Sequence, residues 1–513
     1  MNELPWLSAI VFTPWIGALL LAGWRGARPT VARTVALAFS VLPLLLTAGV
    51  WWGFDRADPR LQFVERQVWI EALNVHYHVG IDGMGLLLLG LTGLLSPLAL
   101  FAAGSLRSPR VFGALFLALQ GAALGVFVAV DFVHWFLFWE LSLIPAFFLI
   151  KLWGGRHATA AAYQFVVYTL GGSAFMLLAF AALYAITGTM NFETLADLAS
   201  DGTLHDALNE AGGFWPQALF FGVLLGLAVK VPLWPFHTWL PAAYAEAPAP
   251  VSMFLTGVLS KMGVYGFLRI LWPLFPAELH QHGTWLLGLA LAGVVLGAFA
   301  ALRQTEVKRM IAYSSLNHLS YCLLALFAVA VAGPVNAPAS AAALSGCLLQ
   351  VFNHGLSAAA LFFVAGALEQ RKAAAGGTGP LLLADFGGVR GPAPILAGLA
   401  GVALFSSLGL PGLNGFVGEF LIFRGVFGLV PWAAAVACLG LFATAFFLLT
   451  FWQRVFHGPP RGLTTASGAD LQGREYAVLV PLALLMLVLG LLPQLLTGVI
   501  NPLIVAWTGG GAP

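Results

Sequence analysis

The chain has 513 residues, of which 60% are hydrophobic and only 9% are charged, and its formal net charge is +2. Soluble domains carry about 25% charged residues, so this composition excludes a soluble protein and predicts a polytopic membrane protein. The small net charge and the lack of long basic runs also exclude a nucleic-acid partner.

Apolar segments long enough to cross a membrane recur along the whole chain. A hydrocarbon core of about 30 Å needs about 20 apolar residues in a helix. The hydropathy predicts about 14 transmembrane helices, at 5–24, 31–53, 82–104, 111–130, 132–153, 161–187, 216–240, 250–272, 284–303, 309–332, 340–368, 394–424, 431–455 and 476–500. The predicted fold class is therefore an all-α polytopic membrane protein.

The basic residues predict how these helices are oriented. Loops that follow odd-numbered helices are basic, as with Arg25 and Arg28 in the first and Lys151 and Arg156 in the fifth, whereas the loop at 191–210 is acidic. Positively charged loops stay on the cytoplasmic side. We therefore expect a bacterial cytoplasmic (inner) membrane protein with both termini on the outer, periplasmic side.

Two predicted helices contain residues that break helices. Helix 7 contains Pro232 and Pro235, and helix 12 contains Pro411 and Gly412. A single proline kink is ordinary in a membrane helix. Two breaks five helices apart instead indicate inverted repeats, in which the broken helices run in opposite directions near a transport site. The predicted units are helices 1–3 (1–110), a first repeat (111–272), a second repeat (284–457) and the last helix (476–513).

Ionisable residues lie at comparable depth in the predicted helices, where an isolated charge costs about 2.5–3.5 kcal/mol or more. They are Glu140, Lys230, Lys261, His318, His354 and Glu419. A buried lysine near a carboxylate gains or loses a proton near neutral pH, and histidine relays protons in the same range. These residues therefore predict proton translocation. The alternatives are a snorkelling Lys230, hydrogen-bonded core histidines, and a Glu419 that only caps a helix.

Other polar residues gave weaker predictions. His237 and Glu246 follow the first break on the predicted cytoplasmic side and are candidates for a proton entrance, although an interfacial structural role explains them equally well. His76 and His78 have no carboxylate cluster beside them, and we interpret them as part of an outer loop. The three cysteines lack CxxC spacing, so we expect no metal and no cofactor in this chain.

Six segments carry a family resemblance: FWELSLIPAFFLIKLWGG, KVPLWPFHTWLP, EAPAPVSMFLTGVLSKMGVYGFLR, VKRMIAYSSLNHLS, FNHGLSAAALFFVAGAL and LPGLNGFVGEF. In this order they resemble the subunit M family of respiratory complex I, which includes NuoM, NdhD and mitochondrial subunit 4. The match covers about 80–425. The chain departs from the usual pattern at Ala242 and Tyr244, where the family usually has aspartate and histidine.

The resemblance implies a proton-pumping, antiporter-like subunit of NADH:quinone oxidoreductase that has no redox centre of its own. FMN, iron–sulfur clusters and quinone would then belong to partner subunits, and the partners would be neighbouring membrane subunits and the peripheral redox arm. The resemblance also implies that Glu140 pairs with Lys230, that Lys261, His318 and His354 form a relay, and that Glu419 is the outlet. A subunit of an Mrp-type Na⁺/H⁺ antiporter or of an energy-converting hydrogenase remains the alternative.

Overall fold

The computed structural model describes residues 4–104, 106–462 and 470–509. The helices are α1 Trp6–Gly23, α2 Pro29–Gly53, α3 Gly83–Ala102, α4 Pro109–Val128, α5 Phe132–Leu141, α6 Leu143–Trp153, α7 Ala158–Thr187, α8 Phe192–Ser200, α9 Thr203–Ala211, α10 Trp215–Lys230, α11 Trp239–Glu246, α12 Ala249–Leu274, α13 Pro276–Leu302, α14 Val307–Ala332, α15 Ala337–Ala374, α16 Pro394–Ser407, α17 Asn414–Leu429, α18 Pro431–Phe456, α19 Gly473–Leu491 and α20 Gln494–Thr508. The strands are β1 Gln62–Ile70, β2 Val75–Ile81, β3 Phe386–Gly387 and β4 Arg461–Gly462.

The predicted all-α polytopic membrane fold is confirmed. Within the described ranges, 12 helices, with α5 and α6 taken as one, are long and apolar enough to cross a membrane. The predicted helices 7 and 12 are each divided into shorter pieces, α10 with α11 and α16 with α17. The total of 14 spans, the inverted repeats, the unit boundaries and the outer location of the termini stay predictions, and residues 1–3 and 510–513 lie outside the described residues.

Both breaks have a simple local cause. After α10 ends at Lys230, Pro232 and Pro235 lie in the turns that lead to α11, where their missing backbone donors prevent a continuous helix. Between α16 and α17, Gly409 and Gly412 have φ angles of +75° and +93°. Residues with a side chain rarely adopt this left-handed region, so the two glycines allow the chain to turn there.

The structure corrects the prediction in the segments outside the core. The last predicted helix, 476–500, is not continuous, because α19 ends at Leu491 and α20 begins only after Pro493. His76 and His78, interpreted as part of an outer loop, lie on β2, which pairs with β1 in an antiparallel hairpin. The acidic outer loop also folds locally into α8 and α9. Hydropathy alone predicts none of these three features, because each is a change in the direction of the backbone and not in the number of apolar residues.

Two helices form the centre of the molecule. Whole 18-residue windows of α12 and α15 are buried by the rest of the chain, whereas α2, α7 and α19 expose much of their apolar surface. Gly257 of α12 and Gly355 of α15 allow a close approach, since a Cβ on Gly355 would lie 3.1 Å from the Gly257 carbonyl oxygen. The pair brings together the two helices that carry Lys261 and His354.

Candidate functional site

Lys261 lies at the centre of α12, between two π-helical turns at Leu255–Leu259 and Phe267–Leu271. Its side chain is fully buried. The Nζ atom lies 2.5 Å from the Thr256 carbonyl oxygen and 2.8 Å from Nδ1 of His354. In the described residues no carboxylate lies within 4.0 Å of this nitrogen. Lys261 therefore shares its proton with a histidine and a backbone carbonyl rather than with a counter-ion.

His354 leads to a second histidine and then to a carboxylate. The imidazole rings of His354 and His318 lie 5.1 Å apart, centre to centre. Nδ1 of His318 lies 3.1 Å from Oε1 of Glu419. All three side chains are at least nine-tenths buried. The four residues thus lie in one row across α12, α15, α14 and α17, with the two histidine rings adjacent at its centre.

Gln350 completes the Glu419 end of this row. Its Nε2 atom lies 3.2 Å from Oε1 of Glu419 and 3.3 Å from Nδ1 of His318. When His318 donates from Nδ1, Oε1 of Glu419 accepts two hydrogen bonds, one from His318 and one from Gln350. Nε2 of His318 is buried and has no hydrogen-bond partner among the described residues. The nitrogen opposite Glu419 is therefore free to accept a proton.

Polar side chains hold the second helix break beside Glu419. Asn353 and Asn414 exchange two hydrogen bonds, of 2.7 and 3.0 Å, and Ser406 donates to Asn414 over 2.6 Å. These bonds tie the end of α16 and the start of α17 to α15. The α17 helix begins at Asn414, so the network also sets the position of Glu419 five residues later.

The first break places Lys230 in a different environment. Its Nζ atom lies 3.3 Å from the Ser142 hydroxyl and 4.8 Å from the centre of the Trp139 ring. Ser142 lies between α5 and α6, which together form one span. The ammonium group is therefore stabilised by a hydroxyl and by an aromatic face.

The predicted direct pair of Glu140 with Lys230 is not present in the structure. No oxygen of Glu140 lies within 4.0 Å of the Lys230 nitrogen, and Oε1 of Glu140 is buried without a hydrogen-bond partner in the described part of the chain. The reason is that the Lys230 nitrogen is directed to the Ser142 hydroxyl and the Trp139 ring, which leaves Glu140 without a direct contact to it. A functional coupling between the two residues stays a prediction.

The two entrance candidates lie apart from the central row. Nδ1 of His237 is buried and has no partner in the ranges that the structure describes. Glu246, at the end of α11, accepts a hydrogen bond of 2.9 Å from the His157 backbone and lines a cavity of about 910 Å³. Lys308 and Glu369 line the same cavity, which opens at the predicted cytoplasmic ends of α12, α14 and α15.

Sequence reasoning missed the neutral polar residues of the site. They are Ser142, Thr256, Gln350, Asn353 and Asn414, all of which contact a predicted residue or fix the backbone beside one. A neutral amide or hydroxyl is tolerated more readily in a membrane helix than a charge. One feature of the sequence could have identified two of these residues. Gln350 and Asn353 lie on the same helix as His354, within about one turn of it.

Comparison with known proteins identifies the family of this chain. The family model described as NADH:quinone oxidoreductase/Mrp antiporter, transmembrane, matches residues 129–446. The chain belongs to this family. The "NADH-quinone oxidoreductase subunit M" of Rhodobacter capsulatus is 36% identical over 481 residues, which cover 92% of this chain and 89% of the relative. The predicted resemblance is thus confirmed.

Solved structures of the family have the same fold. A chain of respiratory complex I from Thermus thermophilus aligns with a TM-score of 0.83 and 29% identity, covering 98% of this chain and 99% of that chain. A chain of the Mrp complex from a Dietzia species also has a TM-score of 0.83, at 21% identity and 98% coverage of each chain. The second likeness shows a shared fold only, so the complex I relatives carry the comparison.

Proposed function

We propose that this chain is a non-redox, proton-translocating membrane subunit of an NADH:quinone oxidoreductase. The observation that carries the proposal is the buried row of Lys261, His354, His318 and Glu419, in which four titratable side chains follow one another inside an apolar protein. The row supports proton transfer because no described residue offers Lys261 a fixed counter-ion. The close relationship to subunit M proteins supports the assignment to this enzyme.

The row conducts a proton in three steps. Lys261 gives its proton to Nδ1 of His354 across 2.8 Å. His354 passes a proton from its other nitrogen toward the unpartnered Nε2 of His318, and His318 releases one from Nδ1 to Glu419 across 3.1 Å. An imidazole accepts on one nitrogen and donates from the other, so one proton crosses each histidine without rotation of the ring. Each ring is then in its other tautomer and must turn before the next proton crosses.

Uptake and release are assigned to the two sides of the membrane. The cavity lined by Glu246 and Lys308 lies at the predicted cytoplasmic ends of its helices and is the proposed source of protons, with His237 and Lys230 next to the first break. Glu419 is the proposed outlet because Oε2 faces the second break, where a Cβ on Gly409 would lie 2.6 Å away. Both termini would then lie on the outer side of the cytoplasmic membrane.

The electron-transfer chemistry is assigned to partner chains. FMN, iron–sulfur clusters and quinone would be held by a peripheral redox arm and adjoining membrane subunits. Within the described residues, no group of three or more His, Cys, Asp or Glu side chains is arranged to hold a metal ion.

The proposal is tested on the intact complex. The complex is purified in mild detergent, its chains are identified by mass spectrometry, and it is reconstituted into liposomes for NADH-driven proton transport. We expect flavin and iron–sulfur subunits to co-purify, and we expect Glu419→Gln to assemble while proton transport falls. Co-purification of small hydrophobic chains alone would indicate an antiporter instead. Parental transport by Glu419→Gln would remove the proposed outlet.

A further inference from the structure

Tyr244 is a buried tyrosine of α11 that the proton row does not include. Its side chain is fully inaccessible, and its ring packs edge-on against Trp239 and Phe362. The hydroxyl donates a hydrogen bond of 2.9 Å to the Leu255 carbonyl oxygen, which belongs to the preceding turn of the Lys261 helix. A short helix beside the first break is thereby joined to α12.

The Leu255 carbonyl is the first acceptor of the π-helical turn. It also accepts the backbone N–H of Ser260, five residues later, in place of the residue four positions on that an α-helix would use. Such turns are rare and occur mostly at functional sites. The Tyr244 hydroxyl is a second donor to this carbonyl. The bond requires the carbonyl to point toward α11, and it does so in the π-helical turn.

The next carbonyl in the same turn is the one that holds Lys261. The Thr256 oxygen accepts from the Lys261 Nζ atom over 2.5 Å and from the Ser260 hydroxyl over 3.1 Å. The Thr256 hydroxyl is fixed in turn by Ser315 of α14, at 2.9 Å. The Thr256 peptide is thus the backbone partner of the Lys261 ammonium group, beside its side-chain partner His354. Tyr244 holds the peptide immediately before it.

We propose that Tyr244 is a positioning residue for proton transfer at Lys261. Its hydroxyl keeps the turn at Leu255–Leu259 π-helical, and this turn presents the Thr256 carbonyl to the protonated lysine. Tyr244 does not carry the proton itself. The proposal rests on the function proposed above, because it requires Lys261 to be protonated and deprotonated during turnover.

The test is the pH profile of NADH-driven proton transport by the whole complex carrying Tyr244→Phe. Without the hydroxyl, the turn loses the bond that orients its carbonyls, and the charged form of Lys261 loses stabilisation. We expect normal assembly and a midpoint of the alkaline limb lower by about one pH unit, which makes transport above that midpoint about tenfold slower. The matched control is Tyr265→Phe, which removes a buried hydroxyl of α12 that contacts Arg269 instead. Its profile should follow that of the parent.

Two further variants separate the outcomes. If Tyr244→Phe follows the parental profile while Lys261→Met is inactive, the positioning role is wrong and the proposed function stands. If Lys261→Met transports protons like the parent, the proposed function itself fails. If the Tyr244→Phe complex does not assemble, a complex with 3-fluorotyrosine at position 244 is measured instead. This residue keeps the ring, and its hydroxyl is a stronger hydrogen-bond donor. The fluorinated complex should shift the alkaline limb to higher pH, and an unchanged limb would overturn the proposal.

Discussion

Replacing Lys261 tests whether a titratable group is needed at the centre of the row. Lys261→Met keeps an unbranched apolar chain in the same space and removes the nitrogen that contacts His354 and the Thr256 carbonyl. A buried polar group left without its partner costs about 1–3 kcal/mol. If the activation free energy for proton transfer to His354 rises by the same about 1–3 kcal/mol, transfer slows by about 5- to 150-fold. Because the proton donor is lost as well, we expect transport to fall by at least that factor.

Lys261→Arg separates the positive charge from the ability to lose a proton. A guanidinium group keeps the charge and the donors but is not deprotonated in proteins. We therefore expect Lys261→Arg to be as inactive as Lys261→Met. The assay is NADH-driven proton uptake by inverted membrane vesicles, normalised to the assembled complex. The control is Lys151→Met. Lys151 lies in the last turn of α6, away from the row, and its amine contacts Tyr163 of α7. Parental transport by Lys261→Arg would refute the reasoning, because a fixed charge would then suffice.

Three other results are expected. For Glu140→Gln we expect a large loss of transport together with normal assembly, because the predicted coupling to Lys230 requires the carboxylate; parental transport would exclude Glu140 from the mechanism. Burial raises the pKa of Asp131 to about 6, so its ionised form destabilises the folded state above that pH and the penalty disappears as the pH falls toward 3.8. Asp131→Asn keeps an acceptor for the Val133 amide and should raise thermal stability at pH 8, by up to about 3 kcal/mol, but not at pH 4; a gain that is independent of pH would contradict this cause. Single cysteines at positions 108 and 201, in a chain otherwise free of cysteine, should be labelled from opposite sides of the membrane, and labelling from one side would overturn the predicted topology.

The sequence was sufficient to predict the fold class and the residues of the central row. Charges and histidines in apolar helices are costly, so Lys261, His354, His318 and Glu419 stand out without any structure. Their depths in the predicted helices were comparable, and the structure brings these four into one row. The two breaks were also visible, because proline and glycine act on the local backbone.

The contacts of the first break could not be predicted in the same way. Glu140 and Lys230 have opposite charges and similar depth, which made a direct pair the simplest expectation. Lys230 instead contacts the hydroxyl of Ser142 and the face of Trp139. The direction that a side chain takes inside a buried span cannot be read from hydropathy. The π-helical turns around Lys261 were missed for the same reason, because they depend on contacts with α11 and α14.

The central claim is that the buried row is a single path, and a double-mutant cycle with His354→Gln and Glu419→Asp tests it most directly. These residues are separated by His318, so a strong interaction between their effects would come from a shared path and not from contact. The measurement is the initial rate of NADH-driven proton transport by complexes reconstituted into liposomes. Steps in series predict that the double variant is scarcely slower than the slower single variant. Losses that multiply, as for two independent sites, would contradict the account.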